Sequence, residues 1–167
     1  MQQVISTYKY FLFRNYKNLD LIYQFIEHRK IKPSQIRHAV VTNPFILSMD
    51  YKNNFLQLSY FFRDQGISLE KFCQYLIKYP WLWTKSLNSL KTKQAFLEQE
   101  SLEKNLLEQS YYPKILSYPF FTFLKPRGLL MKRYNKVDWE MAMKLKDEEF
   151  CKQIQCDLSE LQELKEK

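Results

Sequence analysis

Apolar residues recur along this chain at helical spacing, and one arrangement of them occurs twice. Leu19–Leu47 aligns with Phe55–Trp83 at a shift of 36 positions, with no gap. Leu19 falls on Phe55, Ile22 on Leu58, Phe25 on Phe61, Ile26 on Phe62 and Ile31 on Ile67. Farther on, Ile36 meets Phe72, Val40 meets Leu76, Val41 meets Ile77 and Pro44 meets Pro80. Spacings of three and four place these positions on one face of a helix. A repeat length in the range of about 20–50 residues is that of a helical solenoid, in which each unit buries its apolar face only by stacking on the next.

The same pattern predicts the elements. Helices are expected over residues 3–14, then 18–29 and 33–43 in the first copy, and 51–64 and Ser68 to Pro80 in the second. Pro33 suits a first helical turn, where a missing N–H costs nothing, and Pro44 and Pro80 stop the helices before them. Gly66 stands where a left-handed C-terminal cap is common, and Ser68 can cap the helix that follows. A third copy is stretched. Phe96 and Leu97 take the places of Phe61 and Phe62, Leu106 and Leu107 lie in an expected helix over 101–110, and ILSYPFF (Ile115–Phe121) restates LIKYPWL. Pro119 lies 39 positions after Pro80, which leaves about three added residues between the helices. Tyr111, Tyr112 and Pro113 are expected to end the second of them. Three short helices are expected after Asp138, near Asp147 and after Asp157, the last one frayed.

Composition narrows the class. Only Gly66 and Gly128 are glycines, so no glycine-rich phosphate loop or dinucleotide fingerprint can be built, and a fold of many short strands is disfavoured. The expected fold class is all-α, a helical-repeat solenoid whose hand the pattern does not determine. Cys73, Cys151 and Cys156 are odd in number with no paired CxxC, which points to a reducing compartment and not to a disulfide framework. No apolar run reaches the roughly 20 residues of a membrane span. His28 and His38 have no cysteine or second carboxylate at ligand spacing, so no metal is expected. Glu148 and Glu149 suit a helix N-terminus and not a catalytic dyad. Cys73 reads as a core thiol. No nucleophile–base constellation is visible, and neither enzyme activity nor a cofactor is expected.

Charge turns the reading toward a polyanion. Of the net +8, residues 1–137 carry +12 and residues 138–167 carry −4. The expected organisation is therefore a basic repeat body over 1–137, with repeats near 18–50, 51–86 and 87–125, followed by acidic C-terminal helices over 138–167. The leading candidates for phosphate contact are Lys125, Arg127, Lys132, Arg133 and Lys136, a run without an acid and with Phe121, Phe123 and Tyr134 beside it for base stacking. The alternative is a solvated turn, and Arg127 has its own: pairing with a carboxylate or capping helix carbonyls within the fold. A second basic set, Arg29, Lys30, Lys32 and Arg37, sits at the turn of repeat one, and Lys85, Lys91 and Lys93 follow repeat two, so that repeat edges could form a stripe. Trp81 and Trp83 read first as core anchors. The first 19 residues, acid-free and basic, read either as an organelle-targeting segment or as another repeat helix.

These motifs resemble the mitochondrial transcription termination factor (mTERF) family. Three apolar-apolar-x-x-Pro-apolar-apolar phrases, at Val40–Ile46, Leu76–Leu82 and Ile115–Phe121, occur in order. They are followed by Lys125-Pro126-Arg127 and by the Leu145–Phe150 phrase, similar to the family's closing element. The resemblance covers about residues 19–155. It implies a left-handed stack, a basic face for nucleic acid and residence in the mitochondrial matrix. Full-length members have roughly twice as many repeats, and a shorter stack covers less of a duplex. The expected function is thus non-catalytic RNA binding in an organellar ribonucleoprotein, most concretely as a mitochondrial ribosome component or ribosome-associated factor, with rRNA and neighbouring proteins of a large complex as partners. DNA binding in organellar transcription and a purely protein-binding scaffold stand as alternatives.

Overall fold

The computed structural model describes residues 16–28, 31–43, 50–102, 106, 107 and 109–166. The helix expected over 3–14 and the positions Arg29, Lys30 and Pro44 lie outside them. The described residues are helices and connections without a strand, an all-α helical-repeat fold. Two compact units divide the chain, residues 1–89 and 90–167. This packing division differs from the charge division at 137/138.

In the first unit, repeat one supplies α1 (Tyr16–Glu27) and α2 (Pro33–Thr42). Repeat two supplies a π-helical turn (Tyr51–Leu56) that runs into α3 (Gln57–Asp64), then α4 (Leu69–Lys78) and a 3₁₀ turn (Pro80–Thr84). The aligned positions form the core: Ile22 and Leu58, Ile26 and Phe62, and Ile31 and Ile67 are all buried. Phe55 packs edge-on against Phe25, at 4.8 Å between ring centroids, and also meets Phe72. Phe25, Ile36 and Val40 are half-buried, and Val41 is exposed where its counterpart Ile77 is half-buried. Gly66 takes φ +78°, and Ile67 N–H then reaches back to Phe62 O at 3.0 Å, closing α3 in a left-handed cap. Ser68 Oγ accepts from Lys71 N–H at 3.2 Å and opens α4. One hydrogen bond joins the end of α2 to the 3₁₀ turn of repeat two: the Asn43 side-chain amide donates to Pro80 O at 2.6 Å.

α5 (Leu87–Gln99) leads into the second unit, followed by α6 (Tyr112–Ser117), a π-helical turn (Phe120–Leu124), α7 (Lys125–Arg133), α8 (Trp139–Lys144), α9 (Asp147–Ile154) and α10 (Leu158–Glu166). The helix expected over 101–110 does not form in the described part of that stretch. Ser101 turns into the left-handed region at φ 56°, Leu102 N–H closes on Leu97 O at 2.8 Å, and Leu106 and Leu107 lie in turns. Nor do Tyr112 and Pro113 end a helix. They open α6, where proline fits the first turn. Tyr112 is buried and donates to Gln94, while Trp139 Nε1 donates to Leu102 O at 3.3 Å. Gly128 of α7 marks a close approach, since a Cβ there would meet Leu102 at 2.9 Å and Phe96 at 3.1 Å. The three C-terminal helices start where expected, with Asp138 accepting from Met141 N–H. The last is not frayed: Leu161 is buried and α10 packs on α7 and α9.

Candidate nucleic-acid interface

The basic run that opens at Lys125 is a clasp more than an open surface. Arg127 is 2% exposed. Its Nη1 donates to Ala142 O and, at 3.0 Å, to Leu145 O, the unpaired carbonyls at the end of α8. Its Nη2 donates to Asp147 Oδ1 at 2.7 Å, at the start of α9. The guanidinium lies over the Phe123 and Phe150 rings, at 4.5 and 4.6 Å from their centroids. Arg127 therefore holds α7, α8 and α9 together and is corrected from a phosphate contact to the alternative role, pairing with a carboxylate and capping carbonyls. Lys93 is corrected likewise. It is 4% exposed, with Nζ donating to Leu116 O at 2.7 Å.

The rest of the run is exposed but engaged. Lys132 pairs with Glu100 at 2.8 Å, Arg133 with Glu160 at 2.7 Å, and Lys136 Nζ donates to Gln153 O at 3.2 Å. Lys125 is half-buried at the start of α7. The aromatics divide in the same way. Phe123 is stacked on Tyr118 with centroids 4.0 Å apart, and Tyr134 donates to Glu160 at 2.7 Å. Phe121, at 61% exposure, keeps an open face.

The acidic helices supply the other half of the clasp. Asp147 also accepts from Lys165 of α10. Burial alone would raise the Asp147 carboxyl; the hydrogen bonds and charges of Lys165 and Arg127 outweigh it and hold the group below the usual carboxylate range. The Tyr134 hydrogen bond, aided by Arg133 and the Asp157 N–H, lowers Glu160 against a smaller effect of burial. Burial, then the neighbouring Cys151 thiol, pushes Cys156 up to about 12, so it stays a neutral thiol.

The first unit presents its cations differently. Lys32 and Arg37 are exposed on α2, Lys78 is exposed at the end of α4, and Lys85 is half-buried after the 3₁₀ turn; Lys91, on α5 and already in the second unit, is exposed as well. The ion pairs of the clasp, and Lys144–Glu140 of α8, all lie in the second unit, and none involves these five. Arg63 lies 4.8 Å over the exposed Tyr60 ring, and Lys85 5.9 Å from the Trp81 ring. Trp81 is half-buried beside Tyr79, and the buried anchor of that turn is Leu82.

A feature that composition does not announce lies between α2 and α4, the equivalent helices of adjacent repeats. A groove of about 470 Å³ is lined there by Ile31, Gln35 and His38 on one side and Gln74, Ile77 and Lys78 on the other. His38 and Gln74 are themselves 36 positions apart, so the repeat register places them on corresponding faces, although their polarity hides them from an apolar search. No cluster of three or more His, Cys, Asp or Glu able to hold a metal occurs among the described residues, and none of their helices is long and apolar enough to cross a membrane.

A family model described as mTERF matches residues 1–151. No curated protein and no solved structure matches significantly. Proteins of this family are helical-repeat, generally non-catalytic nucleic-acid binders, found mainly in organelles. The match covers most of the chain, including both halves of the 36-residue repeat and the closing clasp at Arg127. On that match and on its helical-repeat fold, the chain belongs to the mTERF family.

Proposed function

We propose that the chain is a non-catalytic RNA-binding protein of an organellar ribonucleoprotein, specifically a component of the mitochondrial ribosome or a factor bound to it. The observation that carries this reading is where the positive charge remains. The first unit holds twelve bases and five acids, a net +7, whereas the second holds fourteen and thirteen, a net +1. The second unit pairs Arg127, Lys132, Arg133, Lys144 and Lys165 with its own carboxylates, and its thirteen acids nearly balance its bases. The first leaves Lys32, Arg37, Lys78 and Lys85 outside any ion pair of the described residues. Unpaired surface cations attract a phosphate backbone and release its counterions. The choice of RNA over duplex DNA rests on the exposed aromatics Tyr23, Tyr60 and Phe121. Unpaired bases stack on such faces, and duplex bases do not offer theirs.

Titration of binding with salt tests the nucleic-acid part. With about five phosphate contacts, log K should fall against log salt with a slope near −3.5 on a single strand and about −4.5 on duplex. A flat response would leave a protein-binding scaffold as the better reading. Sedimentation of organelle lysate tests the assembly. Co-migration with ribosomal subunits, lost on nuclease treatment, is expected. Retention with DNA nucleoids alone would overturn the ribosomal reading in favour of a DNA-binding transcription factor.

A further inference from the structure

We infer that the groove between α2 and α4 holds one unpaired nucleotide of a single-stranded RNA, an inference that rests on the RNA-binding reading above. The groove is built from the repeat itself. On α2, Gln35 and His38 are three apart and share one face, and Ile31, two residues before the helix begins, lines the groove beside them. On α4, Gln74, Ile77 and Lys78 share one face. The two helices pack directly on one another, and the space left between these faces is about 470 Å³. That falls within the roughly 300–1,000 Å³ of clefts that enclose a small ligand.

The lining has the chemistry of a nucleotide site. Ile31 is buried and Ile77 half-buried, so the walls are aliphatic and suit the flat faces of a base. Gln74 offers a carboxamide, whose adjacent donor and acceptor match the donor–acceptor edge of a nucleobase. Gln35 is already oriented: its Oε1 accepts from Lys32 N–H at 3.1 Å, which leaves its amide N–H groups to donate. His38 adds a ring that can donate, accept or stack. Lys78 supplies the cation at the mouth, and the exposed Arg37, next to His38 in the chain, supplies a second for a flanking phosphate. No carboxylate lines the groove to repel a polyanion. A site for free phosphate would need only the cations, whereas two carboxamides between aliphatic walls read a base. A paired base keeps its edge occupied, so the strand must be single at this point.

The test uses the full chain and a labelled short single-stranded oligoribonucleotide, a duplex RNA of the same length and a strand with abasic sites. Gln74→Ala and His38→Ala should each weaken single-strand binding about three- to tenfold, the span of a lost hydrogen bond. Duplex affinity should stay within about twofold. Melting curves should match the wild type, since Gln74 and His38 are exposed. On the abasic strand the variants and the wild type should bind alike. Photo-crosslinking from 4-thiouridine should map to peptides of α2 and α4. If the wild type binds single-stranded RNA with the expected salt slope but the variants bind equally well and crosslinks map elsewhere, the groove assignment is wrong and the RNA reading survives. Equal losses on single-strand and duplex RNA also overturn it, since they reflect general charge or fold. Absence of salt-dependent RNA binding in the wild type overturns both.

Discussion

Arg127 makes the case at the scale of one residue. Its guanidinium donates to two carbonyls and one carboxylate and lies over two phenyl rings. A cation so placed stabilises the fold and has no reach toward a phosphate. Its Nε is buried and finds no hydrogen-bond partner among the described residues. We expect Arg127→Met to lower stability by about 3 kcal/mol, the lower end for removing one member of a buried pair, because Asp147 keeps Lys165 as a partner. Its affinity for single-stranded RNA, measured well below its melting temperature, should equal that of the wild type. Denaturant unfolding and a binding isotherm on the same sample decide it. A variant of unchanged stability with weakened RNA binding would restore Arg127 to the interface. Sequence states both roles for this residue but cannot choose between them. Its partners lie 15–20 positions downstream and are two backbone carbonyls and an aspartate, and nothing in a local pattern points to them. Lys93 is the same problem in smaller form, a lysine in an ordinary helical stretch whose carbonyl partner belongs to Leu116.

At the scale of elements, the legible features are those set by local chemistry. The helical spacing within each 36-residue copy, the Gly66 turn, the Ser68 and Asp138 caps and the starts of the last three helices all depend on residues within a few positions of one another. What is not legible depends on neighbours. Leu106 and Leu107 look like helix residues, yet the left-handed Ser101 ends α5 first, and buried Tyr112 with Pro113 starts the next helix. The acidic α10 looks like a fraying tail because the ties that hold it, Glu160 to Arg133 and Tyr134 and Lys165 to Asp147, cross from other elements. Those ties give unit two a pH dependence. Asp147 titrates below its ordinary value in the folded chain, so the stability it contributes is present above the unfolded value of about 3.9 and is lost as pH falls through the folded one. Wild-type stability should therefore decline from about pH 5 downward. Asp147→Asn should be less stable near neutrality, and the gap should close toward about pH 2. A constant gap across that range, read by denaturation at each pH, would mean that Asp147 acts by shape and not by charge.

At the scale of the whole molecule, net charge misleads unless it is divided by what neutralises it. The chain's +8 suggests a basic body ending at residue 137, with its strongest run at its end. In the fold, that run and the acidic helices share the second unit and largely cancel, so that +7 of the charge belongs to residues 1–89. A polyanion responds to the cations that remain exposed without a carboxylate partner, because only those can release condensed counterions without first breaking an ion pair. Surface pairs such as Lys132–Glu100 are worth at most about 1 kcal/mol and could be exchanged, yet each exchange leaves Glu100 or Glu160 facing the phosphates. Two sets of substitutions separate these positions. Replacing Lys32, Arg37, Lys78 and Lys85 with Gln should lower the slope of log K against log salt on single-stranded RNA by roughly 2–3, at about 0.7 for each phosphate no longer neutralised. Replacing Lys132, Arg133 and Lys136 with Gln removes three charges but should change the slope by less than about 1. The second set should also lower stability slightly, by breaking the Arg133 tie to α10, which the first set should not. If the larger change in slope came from the second set, the clasp would open to bind RNA, and the sequence's own leading candidates would be the interface after all.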